Sequence, residues 1–134
     1  MNPETLKNAV ELSRSVGHVL VATSGAKGLP HVAAAGRCEL AGEDTVGVSE
    51  WFCPGTLENL EENRQVSIVI WDVNKDAGYQ LLGVALDVED VGVLDNFAGD
   101  KEPKRALPQV ERRIIVKVGK ITDFKNAPHS DIEG

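Results

Sequence analysis

The sequence predicts a mainly β protein, a closed or nearly closed antiparallel barrel of six strands with short flanking helices. Segments with strand-like alternation recur along the 134 residues, and short turn signals separate most of them. Long helical patterns are few, and neither an internal repeat nor a low-complexity segment is present. We expect residues 1–134 to form a single domain, because both the length and the alternation suit one small barrel.

The two ends of the chain lack the strand pattern. Residues 4–15 predict an amphipathic helix within an N-terminal segment of residues 1–16, because Leu6 and Val10 fall on one face and charged residues on the other. Residues 126–134 carry no helical or strand periodicity, and we expect them to form a flexible tail.

The first two predicted strands, residues 18–24 and 30–40, form a hairpin around a glycine-rich turn. Alternation assigns one face of the second strand to Val32, Ala34, Gly36, Cys38 and Leu40. The middle of this strand, residues 33–36, has almost no side chains. Small residues in a strand indicate that something else comes close, either another strand, another subunit or a flat ligand.

Residues 45–63 predict a third strand, a Cys-Pro-Gly turn and a short helix. Alternation places Glu50 on the strand face of Val48 and Trp51 on the opposite face. We expect the hydroxyl of Thr56 to cap the helix. A glycine turn that opens onto a helix N-terminus suits an anion such as phosphate, although a plain structural corner has the same sequence.

The rest of the chain predicts three more strands and one helix. The strands span residues 65–72, 79–90 and 110–122, and the helix spans residues 91–98. A charged link over residues 100–108 precedes the last strand. These elements complete six strands that short turns join in antiparallel pairs.

The charge of the chain is acidic and uneven. The formal net charge is −7, of which residues 1–100 carry −10 and residues 101–125 carry +5. This balance argues against nucleic-acid binding, which needs a basic face to neutralise phosphates. A basic strip on an acidic body suits a smaller anion or an acidic neighbouring subunit.

Neither a membrane location nor a metal site is expected. No apolar run approaches the roughly 20 residues that span a bilayer, and the N-terminus lacks the apolar core of a signal peptide. We therefore expect a cytoplasmic protein. Two cysteines, Cys38 and Cys53, are then expected to be free thiols, and their spacing does not suit a metal knuckle. The three histidines are scattered along the chain.

The sequence predicts no catalytic residue. It contains no G-x-S-x-G elbow and none of the usual nucleotide-binding glycine loops. Glu50 with Asp87 or Glu89 would suit a carboxylate pair in a barrel mouth, but solvated strand ends explain these residues equally well. Whether the protein is an enzyme is left open at this point.

Three motifs follow one another within residues 4–90. They are an A-T-x(n)-G-x-P-H-V hairpin, an N-L-x-x-N-x-x-V-S-I helix and strand, and a Y-x-L-x-G-x-A strand. In this order and spacing they resemble the pyridoxamine 5′-phosphate oxidase-like FMN-binding split-barrel family. The resemblance implies a six-stranded antiparallel split β-barrel that forms a homodimer, with FMN in each of two clefts at the dimer interface.

The resemblance also implies which residues bind the cofactor. The second strand runs beside the flavin ring, the end of the third strand follows the ring and ribityl chain, and the turn with its helix holds the phosphate. The implied cofactor-binding residues are Ala33, Ala34, Ala35, Gly36, Arg37, Ser49, Glu50, Trp51, Pro54, Gly55, Thr56 and Asn59.

The phosphate turn departs from the family pattern. Family members commonly place lysine or arginine three residues before the helix asparagine, where this chain has Thr56 with Gly55 beside it. A dianionic phosphate is better held by cations. A basic segment from the second subunit is expected to supply them, through Arg112 and Arg113 and with Lys104 and Arg105 nearby.

Three functional hypotheses follow from the resemblance. The leading one is a homodimeric FMN-binding flavoprotein, a small oxidoreductase or electron carrier whose redox chemistry belongs to the flavin. The second keeps the fold but places a deazaflavin or a haem in the cleft, and haem would require an axial histidine, for which His18, His31 and His129 are available. The third is a cofactor-free dimer with a binding or regulatory role, which the missing lysine favours. Pyridoxamine phosphate oxidation itself is not expected from so short a chain.

Overall fold

The computed structural model describes residues 1–94 and 109–132, and it confirms the predicted mainly β class. All strands pair antiparallel in one curled sheet of order β2-β1-β5-β6-β7-β4-β3, which fits a split barrel. The elements are α1 (Pro3–Val16), β1 (Val19–Ser24), β2 (Pro30–Ala35), β3 (Arg37–Leu40), β4 (Thr45–Trp51), α2 (Pro54–Glu62), β5 (Gln65–Asp72), β6 (Ala77–Leu94) and β7 (Gln109–Asp123).

Helix α1 packs on the inner face of the sheet, as its amphipathic pattern predicts. The side chain of Asn2 accepts a hydrogen bond from the Glu4 N–H at 2.8 Å and so caps its start, and Gly17 ends it in the left-handed conformation. Leu6 and Val10 are buried in a core that includes the large side chains of the central strands. No helix in the described part of the chain is long and apolar enough to cross a membrane.

The predicted second strand, residues 30–40, is divided at Gly36 into β2 and β3. These two strands lie at opposite ends of the sheet, where β2 pairs with β1 and β3 pairs with β4. At the division, the Gly36 N–H donates a hydrogen bond to the Glu50 carbonyl at 3.1 Å. Within residues 1–94 and 109–132 the sheet therefore has seven strands and not the predicted six.

The division also shifts the alternation of side chains. Ala33 and Ala35 are buried before the break and Cys38 is buried after it, whereas Val32 and Ala34 are exposed. The predicted common face of Val32, Ala34 and Cys38 is thus wrong, because the chain turns at residue 36 and the inward pattern moves by one residue.

Strand β4 contains a bulge between Val48 and Trp51. Within it, Glu50 has a φ of 63°, in the left-handed region that non-glycine residues rarely adopt. Because the bulge adds a residue to one strand, Trp51 returns to the inner face beside Val48 and is buried. The predicted opposite placement of these two residues is wrong for this reason. The indole N–H of Trp51 donates to the Val48 carbonyl at 3.1 Å.

Two further expectations are corrected by the structure. Thr56 does not cap α2: Pro54 starts the helix earlier, Cys53 is the N-cap, and no side chain caps it. A helix was predicted at residues 91–98, but residues 91–94 belong to strand β6, which continues to Leu94 and pairs there with β7. Residues 95–98 and the charged link at residues 100–108 lie outside the described residues.

The β5–β6 hairpin anchors the segment that follows β7. The carboxylate of Asp76 accepts hydrogen bonds from the backbone N–H groups of Asn126 at 2.7 Å and Ala127 at 2.9 Å, and from the Trp71 indole at 3.0 Å. These bonds hold the pKa of the Asp76 carboxyl below its ordinary value. The expected flexibility of residues 126–134 stays a prediction. The first two residues of that segment, Asn126 and Ala127, are attached to the hairpin by these bonds.

Gly78 lies where the hairpin and this segment meet. A Cβ built there would stand 2.8 Å from the Phe124 carbonyl oxygen and would also overlap the Ile70 carbonyl oxygen. Since both atoms belong to the backbone, we expect Gly78→Ala to lower the free energy of unfolding by about 2 to 3 kcal/mol. Among the described residues, Gly92 has no atom beyond its chain neighbours within 4 Å of its Cβ position, so Gly92→Ala is the matched control with an effect of about 0.5 kcal/mol or less. Equal urea midpoints for the two variants would contradict this packing.

Candidate functional site

Strand β2 lies at one edge of the sheet, and its last three residues together with Gly36 present almost no side chains. It pairs with β1 along one side and is the terminal strand of the sheet order. Ala33 and Ala35 point inward, while Ala34 and Gly36 are exposed. The outer side of this segment therefore presents backbone and one methyl group, which lets a flat ring approach closely.

The corner beside this segment is built from Gly36, Arg37 and Glu50. The Arg37 Nε lies 3.1 Å from the Glu50 Oε2, and a Cβ on Gly36 would stand 2.7 Å from the other carboxylate oxygen. The Glu50 N–H donates to the Glu111 carboxylate at 3.3 Å. These contacts hold Glu50 in its left-handed conformation, and such strained residues cluster at functional sites.

A cleft of about 450 Å³ opens between this corner and the end of α1. Arg14 and Gly17 line it on the helix side, and the ion pair of Arg37 with Glu50 lines it on the sheet side. Ser49 is half-buried beside it and pairs with Arg37 across β3 and β4. The cleft is lined by charges of both signs, so it carries no strong preference for an anion.

The predicted phosphate turn lies at the first turn of α2. Pro54 is exposed there, and Gly55 packs against the imidazole ring of His31. A Cβ built on Gly55 would lie 3.4 Å from the His31 Cε1. Thr56 is 1 % exposed, and its hydroxyl has no hydrogen-bond partner within the described part of the chain. Asn59 donates to the Thr23 hydroxyl at 3.1 Å and so fastens α2 to β1.

His31 is a residue at this turn that the sequence reasoning considered as a possible haem ligand and did not include among the FMN-binding residues. Its Nε2 atom is buried and lacks a hydrogen-bond partner among residues 1–94 and 109–132. The P-H-V segment of the hairpin motif contained this histidine. Its position against Gly55 depends on the fold, since β2 and α2 meet only in the folded chain.

Of the two arginines expected to reach a neighbouring site, Arg112 forms an ion pair within its own chain. The Arg112 Nε lies 3.5 Å from the Asp90 carboxylate in an ion pair without hydrogen-bond geometry, and its side chain is 16 % exposed. The guanidinium of Arg113 lies over Gly47, where a Cβ would stand 2.7 Å from its Nε. Their role at a cofactor stays a prediction, and Lys104 and Arg105 lie outside the described residues.

Neither cysteine forms a disulfide in the described structure, in agreement with the predicted thiols. Cys38 is buried on the inner face, and burial, with a smaller contribution from Glu39, raises the pKa of its thiol to about 12. Cys53 is half-buried at the start of α2. No cluster of histidine, cysteine or acidic residues able to hold a metal occurs in the part of the chain that is described.

The chain belongs to the pyridoxamine 5′-phosphate oxidase family, whose sequence pattern matches residues 5–120. The match extends beyond the three motifs and includes the site residues described above, Arg112 and Arg113 among them. A search of curated protein sequences returns no match.

Solved structures of low sequence identity share the fold. HupZ from Group A Streptococcus is 23 % identical, with a TM-score of 0.63 over 91 % of this chain and 98 % of that one. A Clostridium acetobutylicum protein of the pyridoxinephosphate oxidase family, related to general stress protein 26 of B. subtilis, is 18 % identical, with a TM-score of 0.65 over 99 % and 96 %. An FMN-binding protein from Syntrophomonas wolfei is 18 % identical, with a TM-score of 0.60 over 96 % and 91 %.

Two other matching structures carry different cofactor names. HutZ from Vibrio cholerae, described as a heme storage protein, is 17 % identical, with a TM-score of 0.55 over 93 % of this chain and 96 % of that one. An F420 reductase is 15 % identical, with a TM-score of 0.54 over 78 % and 88 %. At these identities the likeness establishes the fold and leaves the cofactor to chemical argument.

The buried thiol of Cys38 makes the stability depend on alkaline pH. The unfolded chain ionises this thiol near its ordinary pKa of 9.0, whereas the folded chain keeps the proton up to about 12. Stability from this group is therefore fully present below pH 9 and is lost as the pH rises toward 12. Between about pH 8 and pH 10, we expect the original protein to lose roughly 1 kcal/mol more unfolding free energy than Cys38→Ala.

Denaturant melts at each pH measure this difference. Val46→Ala, another truncation in the core, is the control and should keep the slope of the original protein, because it removes no titrating group. Parallel pH profiles for Cys38→Ala and the original protein would contradict the burial of this thiol.

Proposed function

We propose that this chain is the subunit of a homodimeric flavoprotein that binds FMN and works as a small oxidoreductase or electron carrier. Membership of the pyridoxamine 5′-phosphate oxidase family supports FMN as the cofactor class. The observation that carries the proposal is the outer side of the edge segment at Ala34 and Gly36, which offers a flat ring close approach to the backbone. When bound, the flavin supplies the electron-transfer chemistry.

The corner next to that segment would hold and orient the ring. Arg37 and Glu50 carry a donor and an acceptor of fixed relative position, because they are paired at 3.1 Å and Glu50 is held by its backbone. Polar groups that are already held in place lose little freedom on binding, and they fix the orientation of a ligand.

The phosphate end of the proposed site is the first turn of α2. Backbone N–H groups at Gly55 and Thr56 belong to a helix start that no side chain caps, which leaves them available to an anion. The side chain of Thr56 adds a hydroxyl without a partner in the described structure. These groups fit a phosphate, but they provide no positive charge.

Dimer formation is supported by an apolar outer face of the sheet. Four large apolar side chains are exposed on β1, β2 and β6, namely Leu20, Val32, Val84 and Leu86. They stand on strands that are buried on their other face, so the sheet is apolar on both sides there. A surface of this kind indicates an interaction site, and a second copy of the chain would cover it.

Haem is the second candidate, and His31 is the observation in its favour. Its ring is half-buried against Gly55 at the first turn of α2, and its Nε2 has no partner in the described part of the chain. His18 and His129 are both exposed. The structural match to a heme storage protein is consistent with this alternative, as the match to an F420 reductase is with a deazaflavin. A visible spectrum separates the three cofactors.

We predict that the purified protein shows flavin absorbance, or binds added FMN with a Kd of about 1 μM or below. Ala34→Phe should weaken FMN binding at least about tenfold, because the new ring fills the space on the exposed side of β2. Ala77→Phe, also at an exposed strand position, is the matched control and should bind FMN normally. A Soret band would indicate that the cofactor is haem and not flavin. If the protein binds none of these cofactors, the redox assignment is overturned.

A further inference from the structure

One charged side chain lies directly against the exposed backbone of the edge segment. A Cβ built on Gly36 would have its three nearest neighbours in the Glu50 side chain, with the carboxylate oxygen Oε1 at 2.7 Å, the Cβ at 3.0 Å and the Cδ at 3.2 Å. The Gly36 N–H also donates to the Glu50 carbonyl at 3.1 Å. A group that approaches the backbone at Gly36 therefore comes close to a carboxylate.

The backbone at Glu50 is strained, and the strain holds the base of this side chain in place. Its φ of 63° lies in the left-handed region, within the bulge between Val48 and Trp51. The Glu50 N–H donates to the Glu111 carboxylate at 3.3 Å. Glycine would occupy this position without strain, whereas a glutamate costs about 1 to 3 kcal/mol there. Strain of this kind points to a use for the side chain that it positions.

The counter-charge of Glu50 is only partly available to it. The Arg37 Nε lies 3.1 Å from the Glu50 Oε2, and the Arg37 Nη1 lies 3.9 Å from the Glu39 carboxylate, so one guanidinium is shared between two carboxylates. The side chains of Arg37 and Glu50 are 60 % and 49 % exposed, and water screens such a pair. The carboxylate beside Gly36 therefore keeps much of its negative potential.

A fixed charge beside a flavin changes the ease with which the flavin is reduced. Uptake of two electrons and one proton leaves the ring one unit more negative. A neighbouring carboxylate makes this added charge less favourable, and a neighbouring guanidinium makes it more favourable. The two members of the Arg37–Glu50 pair therefore act on the same equilibrium in opposite directions.

We propose that Glu50 lowers the reduction potential of the flavin bound along Ala34 and Gly36, and that Arg37 limits this effect. This inference rests on the proposed function, and it goes beyond the orienting role of the pair because it assigns the two residues opposite electrostatic effects. The residue closest to the Gly36 backbone is the carboxylate and not the guanidinium, so the lowering dominates. A lowered potential makes the loaded protein a better electron donor.

Reduction potentials of the FMN-loaded full chain test the proposal. Each variant is saturated with FMN and reduced by dithionite beside a reference dye, and the ratio of oxidised to reduced flavin is read from the visible absorbance. Glu50→Gln keeps the size of the side chain and an acceptor for Arg37 but removes the charge. At the midpoint potential of the original protein, we expect this variant to shift the ratio about three- to tenfold toward reduced flavin, a rise of about 15 to 30 mV for a two-electron couple.

Three further variants separate charge from structure. Arg37→Gln leaves the Glu50 carboxylate unpaired and should lower the midpoint, and Arg37→Gln/Glu50→Gln should return it close to the original value. Glu43→Gln is the matched control, because it removes one exposed carboxylate from the turn between β3 and β4, at the far end of β4 from Glu50, and should keep the original potential. The circular dichroism of every variant is compared with that of the original protein.

The outcomes distinguish this inference from the proposed function. An unchanged or lowered midpoint in Glu50→Gln would overturn the inference and leave the flavoprotein intact. Shifts of the same sign in Glu50→Gln and Arg37→Gln, or an equal rise in Glu43→Gln, would do the same, because they would reduce the effect to disturbed structure or to net charge. Failure of the original protein to bind FMN would overturn both.

Discussion

The hydrogen bond from the Gly36 N–H to the Glu50 carbonyl is the contact on which the architecture depends. It lies where the chain leaves one end of the sheet, after β2, and enters the other end as β3. Two irregular backbones meet there, since Gly36 separates two strands and Glu50 is left-handed within a bulge. This junction joins the two ends of the curled sheet at the place where Arg37 pairs with Glu50.

Irregularities in the strands, more than the strands themselves, provide the chemistry of this protein. The bulge in β4 turns Trp51 inward and leaves Glu50 outward to pair with Arg37. The division at Gly36 moves the inward pattern by one residue, so that Arg37 is exposed and Cys38 is buried. In both cases one residue changes which side chains share a face, at small cost to the rest of the ladder. The ordered sheet then holds these groups at fixed distances, as a binding site requires.

The sequence predicted most of the regular structure because period-two alternation and turn residues are local signals. Segments such as residues 65–72 have one buried face in sequence and in structure. The prediction of a single strand over residues 30–40 was wrong because the chain can turn at Gly36 without any change in the hydrophobic pattern of the residues around it. The prediction of the face on which Trp51 lies was wrong for a related reason. The bulge in β4 is a feature of its pairing with β7, and the residues of β4 alone do not indicate it.

The site was less predictable because its contacts join distant parts of the chain. Glu111 accepts from the Glu50 N–H across 61 positions, and His31 meets Gly55 only after β2 and α2 have packed. The resemblance to the family identified which segments to consider, including the turn at Pro54 and the strand at Ala33. The resemblance could not reveal that Arg112 forms an ion pair with Asp90, because that pair depends on the register of β6 and β7.

Sedimentation equilibrium of the protein with FMN, recorded in the visible absorption band of the flavin, tests the central claim most directly. This claim is that two copies of the chain enclose the cofactor between them. The account predicts that the flavin absorbance sediments with the mass of a dimer and amounts to one flavin per chain. Flavin that sediments with a monomer, or that stays free while the protein sediments without it, would contradict the account.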